Sequence, residues 1–140
     1  MNPLNNKDQA LLLRAMEALN RTTGILGQVI DRDLAMGQDL RADARIEIEA
    51  NGKRYRYIAE IKRVDRFVTL GDIKNQHRQH GEPLLLVAPR VTTEIAKKCR
   101  QLDLQFIDAI GNAYLRGPGL FVLVKGQRPI EGEDFWLVDQ

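Results

Sequence analysis

Cysteine, histidine and aromatic residues are scarce in this sequence of 140 residues. Cys99 is the one cysteine, so no disulfide can form within the chain and a cysteine-based zinc site is excluded. Two histidines do not favour a structural zinc site either. Aromatic residues make up 6% of the chain, a share that argues against an aromatic stacking platform for single-stranded nucleic acid.

Long hydrophobic runs are also missing. The most apolar runs are Leu84 to Ala88 and Leu120 to Val124, far below the roughly 20 residues of a membrane-spanning helix. The first residues lack the basic and apolar regions of a signal peptide, so we expect a cytoplasmic protein. Neither sign of charge dominates, because 21 Lys and Arg stand against 19 Asp and Glu, a net charge of +2. This balance argues against a polybasic binder, although a local basic patch remains compatible with it.

The hydrophobic and charged fractions, 44% and 29%, are those of a globular domain rather than of a disordered chain. At this length we expect one domain over residues 1–125 and a C-terminal tail over residues 126–140. Near its end the tail carries four consecutive apolar residues, Phe135 to Val138. We expect this cluster to pack on its own domain, on a second copy in a homodimer or on a partner protein.

Apolar spacing and turn signals predict the order helix, three strands, helix, strand, helix and short strands. Helices are predicted over 7–20, 69–81 and 93–101. Thr69 to Asp72 resembles a capping box with Asp in place of Glu and would open the second helix, and Thr92 or Thr93 can cap the third. Strands are predicted over 25–34, on both sides of residues 51–52, and over 84–88, 104–107, 113–115 and 120–124. Interleaved elements of this kind indicate an α/β fold in which a mixed sheet has helices on both faces.

The segment from residue 42 to residue 62 predicts a β-hairpin. Asn51-Gly52 is the strongest two-residue hairpin signal, and an alternating run lies on each side of it. The turn pairs Ala50 with Lys53 and gathers Ala, Ile and Tyr side chains on one face, which we expect to face the core. The opposite face is charged, and its cross-strand pairs are Glu49 with Arg54, Glu47 with Arg56, and Asp43 with Glu60.

Asp43 and Glu60 carry like charges that repel each other across this hairpin. Lys62 follows on the same side. Two carboxylates beside an ammonium can hold a hard divalent cation such as Mg²⁺ or Mn²⁺, which acidifies a bound water and stabilises charge on a phosphate. Lys62 would then position the water. The alternative is a solvated charged face on which Lys62 offsets both acids, and the spacing alone does not decide between the two.

The run Ala-Asp43, a hairpin and then Ala-Glu60-Ile61-Lys62 resembles the signature of the PD-(D/E)XK nuclease superfamily. The element order over residues 7–125 resembles the restriction-endonuclease-like core of that superfamily. Two later segments, Leu-Leu-Val-Ala-Pro-Arg and Phe-Ile-Asp-Ala-Ile-Gly-Asn, are similar to nuclease-like domains joined to winged helices in bacterial regulators, some of them type IV antitoxins. The superfamily often has proline before the aspartate, where this chain has Ala42.

The resemblance implies a metal site with Mg²⁺ or Mn²⁺ as the cofactor. Asp43, Glu60 and the backbone carbonyl of Ile61 would be its ligands, and Lys62 the catalytic lysine. Acidic residues of the first helix join the metal in some of these nucleases, which points to Glu17 as a further ligand. The alternative for Glu17 is a solvated position at the edge of the helix.

The densest basic region of the chain surrounds the second predicted helix. We expect it to contact nucleic-acid phosphates, the alternative being a solvated polar face. Gln76 matches a glutamine that some branches of the superfamily place near the site, although His80 stands where those branches have tyrosine. The expected contact residues are Arg63, Arg66, Lys74, Gln76, His77 and Arg78.

The leading interpretation is therefore a metal-dependent phosphodiester hydrolase that acts on DNA. One alternative is a DNA-binding regulatory or antitoxin module that no longer cleaves, and metal-dependent cleavage distinguishes the two. Another is a protein-interaction domain that binds through the tail, for which salt-sensitive DNA binding would be absent. No winged helix is recognisable, so in a regulator of the kind named above this chain would be only the first domain. No membrane partner is expected.

Overall fold

A computed structural model describes residues 6–35, 41–63, 67–77 and 82–129 of the chain. These residues form three helices and seven strands. In chain order they are α1 Asn6–Thr23, β1 Leu26–Ala35, β2 Arg41–Ala50, β3 Lys53–Ile61, α2 Phe67–His77, β4 Leu84–Ala88, α3 Thr93–Leu102, β5 Gln105–Asp108, β6 Ala113–Gly117 and β7 Leu120–Val124.

The seven strands form a single mixed sheet in which spatial order follows chain order. The strands β1, β2 and β3 pair antiparallel, β3, β4 and β5 pair parallel, and β5, β6 and β7 pair antiparallel again. The two parallel pairings are connected through α2 and α3, since a parallel crossover needs a long connection. The predicted mixed α/β architecture is confirmed.

Each face of the sheet carries its own hydrophobic core. Helix α1 buries Leu12, Ala15 and Leu19, at helical spacing, against one face. Helices α2 and α3 cover the other face, where Leu70 and Cys99 pack with residues of β4 and β5. Successive strand residues point to opposite faces, which explains why β4 contributes Leu85 and Val87 to the first core and Leu86 and Ala88 to the second.

Most predicted elements are confirmed within a few residues of their ends. Strands β4 and β7 have the predicted bounds, and Thr92 caps α3, since its side-chain oxygen accepts a hydrogen bond from the N–H of Ile95. The predicted start of α2 is wrong, because the helix begins at Phe67 and Thr69 lies inside it. Asp72 stands where a capping box has Glu or Gln.

Two predictions fall outside the described residues. These are the end of the second helix at Gly81 and the packing of Phe135 to Val138 in the tail. None of the helices in the described ranges combines the length and apolarity needed to cross a membrane.

Candidate functional site

The β2–β3 hairpin has the predicted register. Asn51 and Gly52 have φ angles of 53° and 77°, the positive values that a two-residue turn of this kind requires. Pairing runs from Ala50 with Lys53 to Ala44 with Ala59, residue by residue. The next positions in this register are Asp43 and Glu60, whose side chains form a hydrogen bond with each other.

The charged face of the hairpin includes an ion pair that was predicted from the register. Arg56 donates a hydrogen bond from Nε to Oε2 of Glu47 at 3.0 Å. This contact lowers the pKa of Glu47, chiefly through the hydrogen bond from Arg56. The face is nevertheless not wholly solvated, since Ile58 lies on it and is fully buried.

Asp43 and Glu60 lie where the hairpin reaches the carboxyl end of the parallel strands. Oδ2 of Asp43 accepts a hydrogen bond from the N–H of Ile61 at 2.7 Å, which fixes the aspartate across the end of β3. Glu60 is 6% exposed and pairs with Leu86 of β4 on its other side. The predicted pairing of two carboxylates is therefore present, with one member half-buried and the other buried.

Burial and a neighbouring negative charge disturb the ionisation of Glu60. Desolvation by burial, followed by the charge of Asp43, raises the pKa of Glu60 to about 7, against the opposing effect of Lys62. The hydrogen bond to Asp43 acts in the same direction as burial, because a protonated Glu60 can donate to its neighbour. Near neutral pH a protonated Glu60 can therefore donate to the carboxylate of Asp43.

Asp8 also belongs to this cluster and was not predicted as a site residue. Asp8 lies in the first turn of α1, and burial raises its pKa, with a further rise from Asp43 and an opposing effect of Lys62. An acidic residue in a first helical turn is an ordinary helix-stabilising feature. Only the tertiary position of α1 beside the hairpin makes it a site residue, so no local signal could have identified it.

Glu17 is not brought to the carboxylate pair. It lies nine residues beyond Asp8, which in an α-helix is a rise of about 13.5 Å and a rotation of about half a turn. Its side chain is exposed on the far side of α1. The position agrees with the solvated alternative considered for this residue.

The donor set at the hairpin end suits a hard cation. Mg²⁺ keeps several of its waters and binds proteins through one or two carboxylates, which Asp43 and Glu60 can supply. The backbone carbonyl of Ile61 would be the third protein ligand implied by the resemblance. Within the described ranges, no group of three or more His, Cys, Asp or Glu side chains is arranged to hold a metal ion. Asp8 therefore adds charge near the pair without completing a ligand set of three side chains.

Lys62 and Arg63 are exposed and directly follow β3. The N–H of Lys62 donates to the carbonyl of Val87 at 2.9 Å, which continues the parallel pairing and holds the lysine beside Glu60. Lys74 lies apart from this end, because its ammonium donates to the carbonyl of Asp103 at 2.8 Å. Asp103 follows α3 and precedes β5, at the opposite end of the parallel strands.

The other expected phosphate contacts cannot be placed in the same way. Gln76 and His77 belong to α2, but their side chains are not among those that the structure describes. Arg66 and Arg78 lie outside the described residues. Of the predicted site, the structure thus brings together Asp43, Glu60, Ile61 and Lys62. Arg63 follows Lys62 in the chain and is exposed.

Asp108 has a structural function. This fully buried carboxylate accepts hydrogen bonds from the backbone N–H groups of Val91, Ile110, Gly111 and Asn112, and from the side-chain amide of Asn112, all at 2.8–2.9 Å. These hydrogen bonds hold the turn between β5 and β6 in place.

Comparisons with protein-family models, with curated proteins and with solved structures found no match. The resemblance to the nuclease superfamily consequently rests on the motif residues and the predicted element order.

Proposed function

We propose that this domain is a Mg²⁺- or Mn²⁺-dependent phosphodiester hydrolase that acts on DNA. The observation that carries the proposal is the contact between Asp43 and Glu60, with the charge of Lys62 beside it. Burying one carboxyl group against another costs free energy unless a proton or a cation resolves the repulsion. A solvated surface pair would have neither the 6% exposure of Glu60 nor the backbone hydrogen bond of Asp43.

Each residue of the pair has a distinct function in this proposal. Asp43 accepts the N–H of Ile61 at Oδ2, and its carboxylate would be one ligand of the cation. Glu60 must release its proton before it can act as a ligand. A bound Mg²⁺ would supply a more acidic water and neutralise charge on the phosphate. Lys62, with its exposed ammonium, donates a hydrogen bond to the attacking water or to the scissile phosphate.

A cleavage assay on plasmid and short linear DNA tests this function. The intact protein should cleave with Mg²⁺ or Mn²⁺ and not with EDTA. Lys62→Ala and Asp43→Asn should each lower the rate by about 100-fold or more, the usual cost of removing an electrostatic catalytic group. Glu49→Gln, which removes an exposed carboxylate from the same face of β2, is the matched control and should keep full activity.

Two outcomes would contradict the proposal. Cleavage that survives Asp43→Asn would place the chemistry elsewhere. Salt-sensitive DNA binding with no cleavage under any metal condition would favour the regulatory DNA-binding module instead.

A further inference from the structure

A second charged surface lies on the other half of the sheet, between α3 and the β6–β7 hairpin. It is a groove of about 730 Å³, here called the α3–β7 groove. Four cationic and two aromatic side chains line it, namely Lys97, Arg100, Arg116, Lys125, Tyr114 and Phe121. One acidic residue, Glu94, shares the lining.

Phe121 is an unusual strand residue because 61% of it is exposed. Tyr114 meets it edge-on, with ring centroids 6.3 Å apart and an interplanar angle of 72°. Tyr114 is itself held, since its hydroxyl donates to Oδ1 of Asp103 at 2.8 Å and the guanidinium of Arg100 lies 5.9 Å from its ring centroid. The exposed ring is thus supported from behind and presents a free face to solvent.

The charge around this ring is predominantly positive. The carboxylate of Asp103 lies 3.6 Å from Nη1 of Arg116 and partly offsets the positive charge of this guanidinium. Arg116 also lines a neighbouring notch of about 570 Å³ together with Lys53, Arg54 and Arg56. The positive surface therefore continues from the groove along the amino end of the parallel strands.

We propose that the α3–β7 groove binds single-stranded nucleic acid. An unpaired base stacks on Phe121, and neighbouring phosphates contact Lys97, Arg100, Arg116 and Lys125. Cations interleaved with an exposed aromatic ring suit a strand whose bases are free to stack. A duplex keeps its bases stacked inside, and an isolated phosphate would make no use of the ring.

The groove is separate from the carboxylate site. Four strand intervals, or about 19 Å, lie between β3 and β7 at the usual spacing of a sheet. Binding in the groove does not require the hydrolase activity, so the two proposals can fail independently.

Fluorescence anisotropy with labelled 12-nucleotide DNA and RNA strands, and with a 12-base-pair duplex, tests the proposal in EDTA. Both single strands should bind at least tenfold more tightly than the duplex. Phe121→Ala and Phe121→Leu should weaken binding about fivefold or more, because each removes stacking, whereas Phe121→Trp should retain it. Arg116→Ala should reduce the slope of log K against log salt by about 0.7.

Two controls isolate the groove. Lys98→Ala removes a charge from α3 beside Lys97 without touching the groove lining and should leave the affinity unchanged. Asp43→Asn should also bind normally, even where it abolishes cleavage. Melting temperatures of all variants confirm that they are folded.

Three results would overturn the proposal. One is equal affinity of the intact protein and Phe121→Leu, and another is a preference for the duplex. The third is binding of an acidic peptide with the sequence of residues 130–140 while no oligonucleotide binds, which would assign the groove to protein docking.

Discussion

Glu60 combines burial with a nearby negative charge, and this makes the stability of the metal-free protein depend on pH. Its pKa is raised from 4.5 in the unfolded chain to about 7 in the fold. The folded state therefore holds the proton more tightly, and the stabilisation is complete below pH 4.5 and is lost as pH rises through 7. The loss is on the order of 3 kcal/mol, since one pKa unit corresponds to about 1.4 kcal/mol.

Urea unfolding in EDTA at pH 5 and at pH 8 measures this effect. We expect the intact protein to be less stable at pH 8, and Glu60→Gln to show a much smaller difference between the two pH values. Equal pH dependence of the two proteins would mean that Glu60 is ionised in the fold throughout this range.

Asp108 is the second residue with a large expected effect. Replacement by alanine leaves the N–H groups of Val91, Ile110, Gly111 and Asn112 buried without an acceptor. Each such loss costs about 1–3 kcal/mol, so we expect Asp108→Ala to destabilise the fold by at least about 4 kcal/mol. Asp108→Asn should cost less, because the remaining oxygen still accepts some of these bonds.

Chemical denaturation measures the loss of stability in Asp108→Ala and in Asp108→Asn. Asp72→Asn, a change at an exposed carboxylate of α2, is the control and should stay within about 0.5 kcal/mol of the intact protein. A cost below about 1 kcal/mol for Asp108→Ala would contradict the hydrogen-bond network described for this turn.

At the level of elements, two glycines allow the same substitution to be compared in opposite settings. Gly52 has φ 77° in the hairpin turn, where alanine is strained, and Gly71 lies in α2 with open space around its Cβ position. We expect Gly52→Ala to lose about 1 kcal/mol. Gly71→Ala should gain up to about 1 kcal/mol from helix propensity.

Thermal unfolding of the two variants should show changes in stability of opposite sign. If both lose stability, the helix around Gly71 is more crowded than described. If both gain, the positive φ of the hairpin turn is not maintained in solution.

Elements with strong local signals were predictable. The Asn51-Gly52 turn and the alternation on both sides of it determine the hairpin register, and with it the contact between Asp43 and Glu60. The fully apolar run Leu84 to Ala88 likewise predicts a buried strand. Such signals are local because the turn and the side-chain period act over a few residues.

The tertiary part of the site was not predictable from the sequence. Asp8 lies near Asp43 only because α1 packs on the sheet in this orientation, and Lys74 contacts Asp103 only because α2 lies beside α3. Low aromatic content argued against a stacking platform, yet one exposed ring, Phe121, lies among cations contributed by α3, β6 and the end of β7. The tertiary positions of these residues cannot be predicted from composition or from the hydrophobic periodicity.

For the whole molecule, one sheet separates two chemically distinct regions. The carboxylate cluster lies where β2 begins and β3 ends, and the α3–β7 groove lies toward the opposite edge of the sheet. Binding of a cation at the first region would stabilise the entire fold, because the unfolded chain lacks the site. At a free concentration 100 times the dissociation constant the gain is about 2.7 kcal/mol.

Calorimetric titration of Mn²⁺ into the protein at pH 8 tests the carboxylate site most directly. We expect one binding event for the intact protein and none for Asp43→Asn or Glu60→Gln, with Glu49→Gln behaving like the intact protein. Binding should weaken below pH 7, where Glu60 must first release its proton. Absence of heat with the intact protein, or undiminished binding by Asp43→Asn, would contradict a cation site between Asp43 and Glu60.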